Sequence, residues 1–376
     1  MTGPLAGMKI VEIGEGPAIA YAGRNFADLG ADVVKIEPPE GDAMRRWPGP
    51  VILDAPAAFH ALHRGKASIA LDLALPADRA TLRALLLAAD GAIDGTPEGI
   101  VRQLAPAAEA TALVVGRLTP YGDGVDPDVP AHDATIQAES GWLSINGRPD
   151  FDAVRSGLPM PSVAAGASVV QGMLASLIAR CDDGEGEDVD VALYDQSVVI
   201  SYHYAMQFLV NGERPKRWGN GSPAAQPLGV FEASDGEFQM TVAGDRVWRR
   251  FAENVLERTD LIDHPDYARN SGRVANLDAL MDIIIPLFKT RPRAHWIAKM
   301  QAGSVPGGPI RTLDEAVVAP ESVERGLIVS AEAGGGAPSI RNPMRFRDTP
   351  LATPRPAPRL GEGGPARARN WEAKSR

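Results

Sequence analysis

Three side chains in the middle of this sequence have the right types for acyl or proton-transfer chemistry. His132 and Asp133 are adjacent, and Ser162 follows further along. A serine hydroxyl has no anion at neutral pH without a base. A His–Ser pair is therefore the germ of a nucleophile–base couple, and Asp133 adds a carboxylate. The competing structural reading is that Ser162 caps a helix, for which serine is among the best residues, and that His132 packs or hydrogen-bonds. Glu139 lies near in sequence without a role to assign it. Anion binding has its own candidates. Arg64 and Lys66 precede a strand and carry charge and N–H donors suited to phosphate; their ordinary alternative is solvated surface. Gly14-Glu15-Gly16 precedes a helix, and a helix N-terminus at Pro17 and Ala18 suits an anionic diphosphate. The third glycine of a dinucleotide fingerprint is missing, with Ile19 in its place, which argues against a nicotinamide cofactor. No metal site is expected. The six histidines are scattered, and His60 and His63 are the only close pair, with no third ligand.

These residues need elements to hold them. The stretch Ala131 to Ser197 organises the chain. Its apolar run from Val163 to Arg180 predicts a helix, with Ala164, Ala167, Val170, Leu174 and Leu177 on one face. Its small residues, Gly166 and Gly172 among them, admit a neighbouring backbone. Ser162 would stand at the N-terminus of this helix. A glycine- and acid-rich turn, Asp182 to Asp188, leads to the run Val189 to Asp195. At the N-terminus, Met8–Ile13 and Asp32–Ile36 read as strands around a helix, Ala18–Leu29, ended by Gly30. That βαβ unit implies parallel pairing and a right-handed crossover. A helix over Asp78–Ala89 and strands over Gly91–Asp94 and Ala112–Gly116 continue the pattern. The loop Thr119–Pro130 is rich in Gly, Asp and Pro.

Residues Asn211–Pro227 read as a linker. A hairpin follows over Gly229–Val242, turning at Ser234-Asp235-Gly236. A helix starts in Val242–Phe251, and two more cover Asp278–Phe288 and Pro292–Gln301. The expected fold is α/β. A Rossmann-like parallel sheet forms a large domain from residues 1–228 and 307–376, with a smaller α+β domain inserted at 229–306. Val305–Ile310 would mark the return to the large domain.

Composition narrows the function classes. The chain has 376 residues, 44% hydrophobic and 23% charged, with a formal net charge of −10. That charge argues against a nucleic-acid surface. The lone Cys181 excludes internal disulfides and cysteine-based zinc sites and fits a reducing, cytoplasmic setting. No N-terminal signal pattern and no apolar run of roughly 18 to 20 residues suggest secretion or a membrane span.

Several motifs agree in order and spacing with one family. A-D-L-G-A-D-V-V-K-I-E-P-P-E-G-D-A-M-R runs from Ala27 to Arg45, and R-G-K-A-S-I-A-L-D-L from Arg64 to Leu73. His132-Asp133, Gln137-Ala138, S-G-L-P-M-P-S from Ser156 to Ser162, G-E-D-V-D-V-A-L to Leu193, and V-P-G-G-P-I from Val305 follow. Together they resemble the family III CoA transferases, the carnitine dehydratase and bile-acid-inducible group, over nearly the whole chain. The resemblance implies transfer of CoA between carboxylic acids, with acyl-CoA and an acid as substrates and no tightly bound cofactor. It implies an interlocked homodimer, or a heteromer with an active paralogue. It implies that Gly16, Pro17, Ala18, Arg64, Lys66, Leu71 and Arg102 hold CoA. The family's nucleophilic Asp falls on Ser162. Three readings stay open: a transferase using Asp133, or Ser162 activated by His132; a racemase-like or hydrolytic enzyme built on His132; and a non-catalytic CoA-binding subunit.

Overall fold

A computed structural model describes residues 2–125, 129, 131–222, 224–363 and 371. Much of the loop expected over Thr119–Pro130 is therefore described, but residues 126–128 and 130 lie outside. The chain divides into two compact units. The first comprises Met1–Trp142, Arg155–Gly212 and Ala319–Arg376; the second comprises Leu143–Val154 and Glu213–Val318.

The first unit is built on six parallel strands: β1 (Lys9–Ile13), β2 (Asp32–Glu37), β3 (Ala67–Ala70), β4 (Gly91–Asp94), β5 (Val114–Thr119) and β6 (Val189–Ala192). Their spatial order is β3-β2-β1-β4-β5-β6. The order reverses between β1 and β4. In open sheets of this kind, ligands bind outside the carboxyl ends of the strands at that reversal. Side chains alternate across the sheet. Val11, Val34 and Val115 pack on one side with Leu82, Leu85 and Leu86. Ile10, Val33 and Val114 pack on the other with Phe26, Val169 and Met173. Helices cover both faces, as a parallel sheet requires.

Two helices on the second face carry Pro17, Ala18 and Ser162. Helix α1 (Pro17–Asp28) follows β1, with Gly16 as its N-cap at φ 98°, a backbone region that favours glycine. Helix α2 spans Met160–Asp183 and ends at the left-handed Gly184. It starts earlier than the sequence pattern suggested, because Pro161 fits the open first turn of a helix. Its buried face is also displaced, to Ala165, Gly166, Val169, Val170, Met173 and Leu177. The helices cross at Gly166. A Cβ there would stand 2.6 Å from the carbonyl oxygen of Ala18. Helix α2 is long and apolar enough to cross a membrane by length and composition. Here it is a core helix lying on the sheet.

The second unit holds a three-stranded antiparallel sheet, with β7 (Leu228–Ala233) and β8 (Gly236–Thr241) joined at Ser234-Asp235. The third strand is β9 (Gly307–Pro309), which pairs with β8. Val305–Ile310 is thus part of the small unit, and the chain rejoins the large one near Ala319. The small unit also begins before residue 229, at Glu213, and includes the distant segment 143–154. Its core gathers Phe231, Phe238, Trp248, Phe251, Phe288 and Trp296.

Candidate active site

A cleft of about 510 Å³ opens at the β1/β4 reversal within the first unit. Gly14 follows β1 and Gly95 follows β4, and a Cβ on Gly14 would come within 2.8 Å of the Gly95 backbone. Two turns meet here only because neither carries a side chain. Glu15, Gly16, Pro17 and Ala18 form one wall, and Arg117, Thr119, Tyr121 and Asp123 form another. His132, Asp133 and Ser162 close the cleft.

Ser162 lies in the first turn of α2 and is 2% exposed. It is therefore not the N-cap. Its hydroxyl donates to Asp133 Oδ2 at 2.7 Å, and its backbone N–H donates to the same oxygen at 2.9 Å. The carboxylate satisfies one of the orphan N–H groups of α2 from a neighbouring helix, α3 (Asp133–Glu139). The other oxygen, Oδ1, accepts from Gln137 Nε2 at 2.7 Å. Gln137 is itself fixed, since its Oε1 accepts the Ser156 N–H at 2.8 Å. Asp133 is half-buried and reachable from the cleft, and His132 is exposed. The serine thus pairs with the aspartate, and His132 shares the cleft without standing between them.

Of the residues singled out from sequence, Gly16, Pro17, Ala18, His132, Asp133 and Ser162 come together. Leu71 lines a neighbouring cleft with Ile13, Gly14, Lys35, Glu40 and Asp72, and Glu15 borders both. The basic candidates do not face the main cleft. Arg64 is buried, forks onto Asp28 at 3.0 and 2.6 Å, and donates to Ser339 and Ile340. Arg102 binds Asp188 and the carbonyls of Ala105 and Leu113. Both fasten one segment to another.

Lys66 is buried against Glu12 Oε2 at 2.6 Å and donates to the carbonyl of Ala20. Burial, and the nearby Lys35, press its pKa down to about 8 against the pull of Glu12. Lys35 binds Glu12 at 3.2 Å and Asp42 at 2.8 Å. Burial alone would lower Lys35, but these two carboxylates outweigh it and hold its pKa above the ordinary value. Lys35 also donates to the Gly14 carbonyl at 3.0 Å, tying the glycine turn to the core. His63 sits in the same cluster with Nε2 unpartnered, and burial and Lys66 keep it neutral.

Arg117 is the basic residue that sequence reading missed. The strand read as ending at Gly116 runs on to Thr119. Arg117 thereby stands at the carboxyl end of β5, where sheets of this class place ligand-facing groups.

Set beside known proteins, the chain is similar to CoA-handling enzymes throughout its length. The sequence profile of CoA-transferase family III matches residues 5–363. The chain belongs to that family. It is 33% identical to the succinate–glutarate CoA-transferase of Agrobacterium fabrum, over 96% of this chain and 93% of the relative. It is 29% identical to the acetyl-CoA:oxalate CoA-transferase of Acetobacter aceti, over 99% and 96%. A solved CAIB/BAIF family protein from Brucella suis superposes with a TM-score of 0.85 at 30% identity, covering 99% of this family III chain and 100% of that one. The α/β fold expected from the motifs is thus the family's own.

Proposed function

We propose that this chain transfers CoA between carboxylic acids, with Asp133 as the carboxylate that accepts the acyl group and then CoA. The observation that carries this reading is the double hydrogen bond from Ser162 to Asp133 Oδ2. Both residues line the cleft, but Ser162 is buried with its hydroxyl committed, whereas Asp133 is half-buried. The relatives named above act on acyl-CoA and dicarboxylic acids, which makes such acids the first substrates to try.

The chemistry follows from the two ends of the carboxylate. Oδ1 keeps a lone pair beyond the bond from Gln137, and it attacks the thioester carbonyl. The C–S bond breaks, CoA leaves as thiolate, and a mixed anhydride with Asp133 forms. The thiolate then attacks the Asp133 carboxyl carbon, the first acid leaves as carboxylate, and CoA is held on Asp133 as a thioester. The acceptor acid repeats the two steps in reverse order. In each attack on the Asp133 carbon, negative charge gathers on Oδ2. The Ser162 N–H and O–H stand 2.9 and 2.7 Å from that oxygen, the range required of oxyanion donors. Serine in place of a second acid thus leaves donors where a carboxylate would repel. At the start of α1, Gly16 and Ala18 offer N–H groups and the helix its dipole to the CoA diphosphate, while Pro17, which has no N–H, sets the first turn.

The reading includes an interlocked dimer. Helix α4 (Tyr202–Asn211) has no buried residue in the single chain, and Tyr202, Leu209 and Val210 are widely exposed. A face of that kind suits a subunit contact.

A transfer assay tests the proposal. Succinyl-CoA is mixed with a panel of carboxylic acids, and new thioesters are separated by chromatography. The expected result is transfer by the wild type and none by Asp133→Asn. Hydrolysis alone, or full transfer by Asp133→Asn, contradicts it.

A further inference from the structure

Arg117 is the one arginine or lysine among the described residues lining the main cleft, where Glu15, Asp123 and Asp133 supply the acids. Its guanidinium is partly committed. Nη1 donates to the Thr96 carbonyl at 3.0 Å and Nη2 to the Pro97 carbonyl at 2.8 Å. Nε donates to Asp123 Oδ1 at 2.9 Å. A guanidinium has five N–H donors, so two remain beyond these three bonds. The two carbonyls fix the plane of the group, and the buried Asp94 carboxylate lies 3.9 Å from Nη1. The Asp123 bond is different in kind. Its side chain is 67% exposed, against 20% for Arg117. It rides on a turn between Gly122 at φ 85° and Gly124 at φ 89°. An exposed ion pair of this sort contributes little to stability, so its exchange for another carboxylate costs little.

We propose that Arg117 is a specificity-determining residue for the acid, and that Asp123 is an internal stand-in for the substrate. The distal carboxylate of a dicarboxylic acid displaces Asp123 and takes the Nε edge of Arg117 together with a spare N–H, as a bidentate pair. The other carboxylate of the same acid is then directed towards Asp133, across the same cleft. A monocarboxylic acid of equal length leaves the Arg117–Asp123 pair closed and gains nothing from it. The inference rests on the transferase reading above and adds to it the residue that distinguishes one class of acid from another.

With acetyl-CoA as donor, the test compares succinate and butyrate as acceptors, which differ by the distal carboxylate. The readout is the ratio of their kcat/KM values in wild type, Arg117→Gln and Asp123→Asn. Loss of a charge-assisted bidentate bond lowers the ratio about 30-fold in Arg117→Gln. Removing the internal competitor raises it about two- to fivefold in Asp123→Asn, an exposed substitution that leaves the fold intact. A structural role for Arg117 would instead slow both acids in parallel. A ratio unchanged in both variants, with transfer still measurable, overturns the inference while leaving the transferase reading in place. Transfer to neither acid by the wild type overturns the transferase reading and this one with it.

Discussion

At the scale of the residue, the function turns on which oxygen is the nucleophile. If Ser162 attacked with His132 as its base, His132→Ala would cost about 10²- to 10⁴-fold in rate. The geometry gives the serine proton to Asp133 instead, at 2.7 Å. His132→Ala is therefore expected to lower kcat by less than about tenfold. Ser162→Ala removes one of two oxyanion donors and is expected to cost about 10²- to 10³-fold in kcat while retaining the covalent route. Steady-state kinetics on the two variants separate these assignments, and a loss of about 10²-fold or more in His132→Ala would restore the His–Ser couple. Ser162→Asp would set two carboxylates in contact, where both cannot ionise freely, so it is expected to lose rather than gain activity. Sequence reading reached His132, Asp133 and Ser162 because their types are suggestive. It could not reach their pairing, which joins the starts of two helices. Arg64 and Lys66 misled for a like reason. Their partners, Asp28 and Glu12, lie far away along the chain and become neighbours only in the fold.

At the scale of the element, the site depends on how α1 and α2 cross. Gly166 lets α2 approach the Ala18 carbonyl, and both helix starts then reach the cleft. Gly166→Ala is expected to destabilise by about 1–3 kcal/mol through overpacking and to lower activity as the helix starts shift. Thermal melts check the first effect, and an unchanged Tm would show that the crossing can yield. The buried cluster beneath the glycine turn gives a second prediction. Lys66 has a folded pKa of about 8, below its ordinary 10.5. Between those values the unfolded chain binds more protons than the folded one, so stability rises with pH across that window. The slope has an upper limit of about 1.4 kcal/mol per pH unit. Lys35 is shifted upward, so its stabilising contribution is lost only above 10.5 and does not mask the slope below. Urea melts between pH 8 and 10 are expected to show the rise in wild type and a flatter profile in Lys66→Met. Equal slopes would locate the effect elsewhere. The strands and helices of this half were legible because their apolar periods are clean. The start of α2 was not, since Pro161 and Ser162 read equally well as a turn.

At the scale of the whole molecule, the alternation of strands and helices announced a doubly wound sheet, and the motif order announced the family. The boundaries of the small unit were less legible. Residues 143–154 join it through contacts such as Arg217 to the Arg148 and Phe151 carbonyls, which no local pattern signals. An interlocked dimer of 39.8 kDa chains predicts a dimeric mass that persists on dilution to micromolar concentration, because threaded chains cannot part without unfolding. Light scattering showing a monomer would contradict it.

In the proposed reaction Asp133 becomes covalently acylated during turnover. Hydroxylamine converts an aspartyl anhydride or thioester to a stable hydroxamate, which peptide mass spectrometry places on a single residue. After incubation with succinyl-CoA and hydroxylamine, the hydroxamate is expected on Asp133, in wild type and in Ser162→Ala. Transfer activity with an unmodified Asp133, or an acyl group found on Ser162, would contradict it.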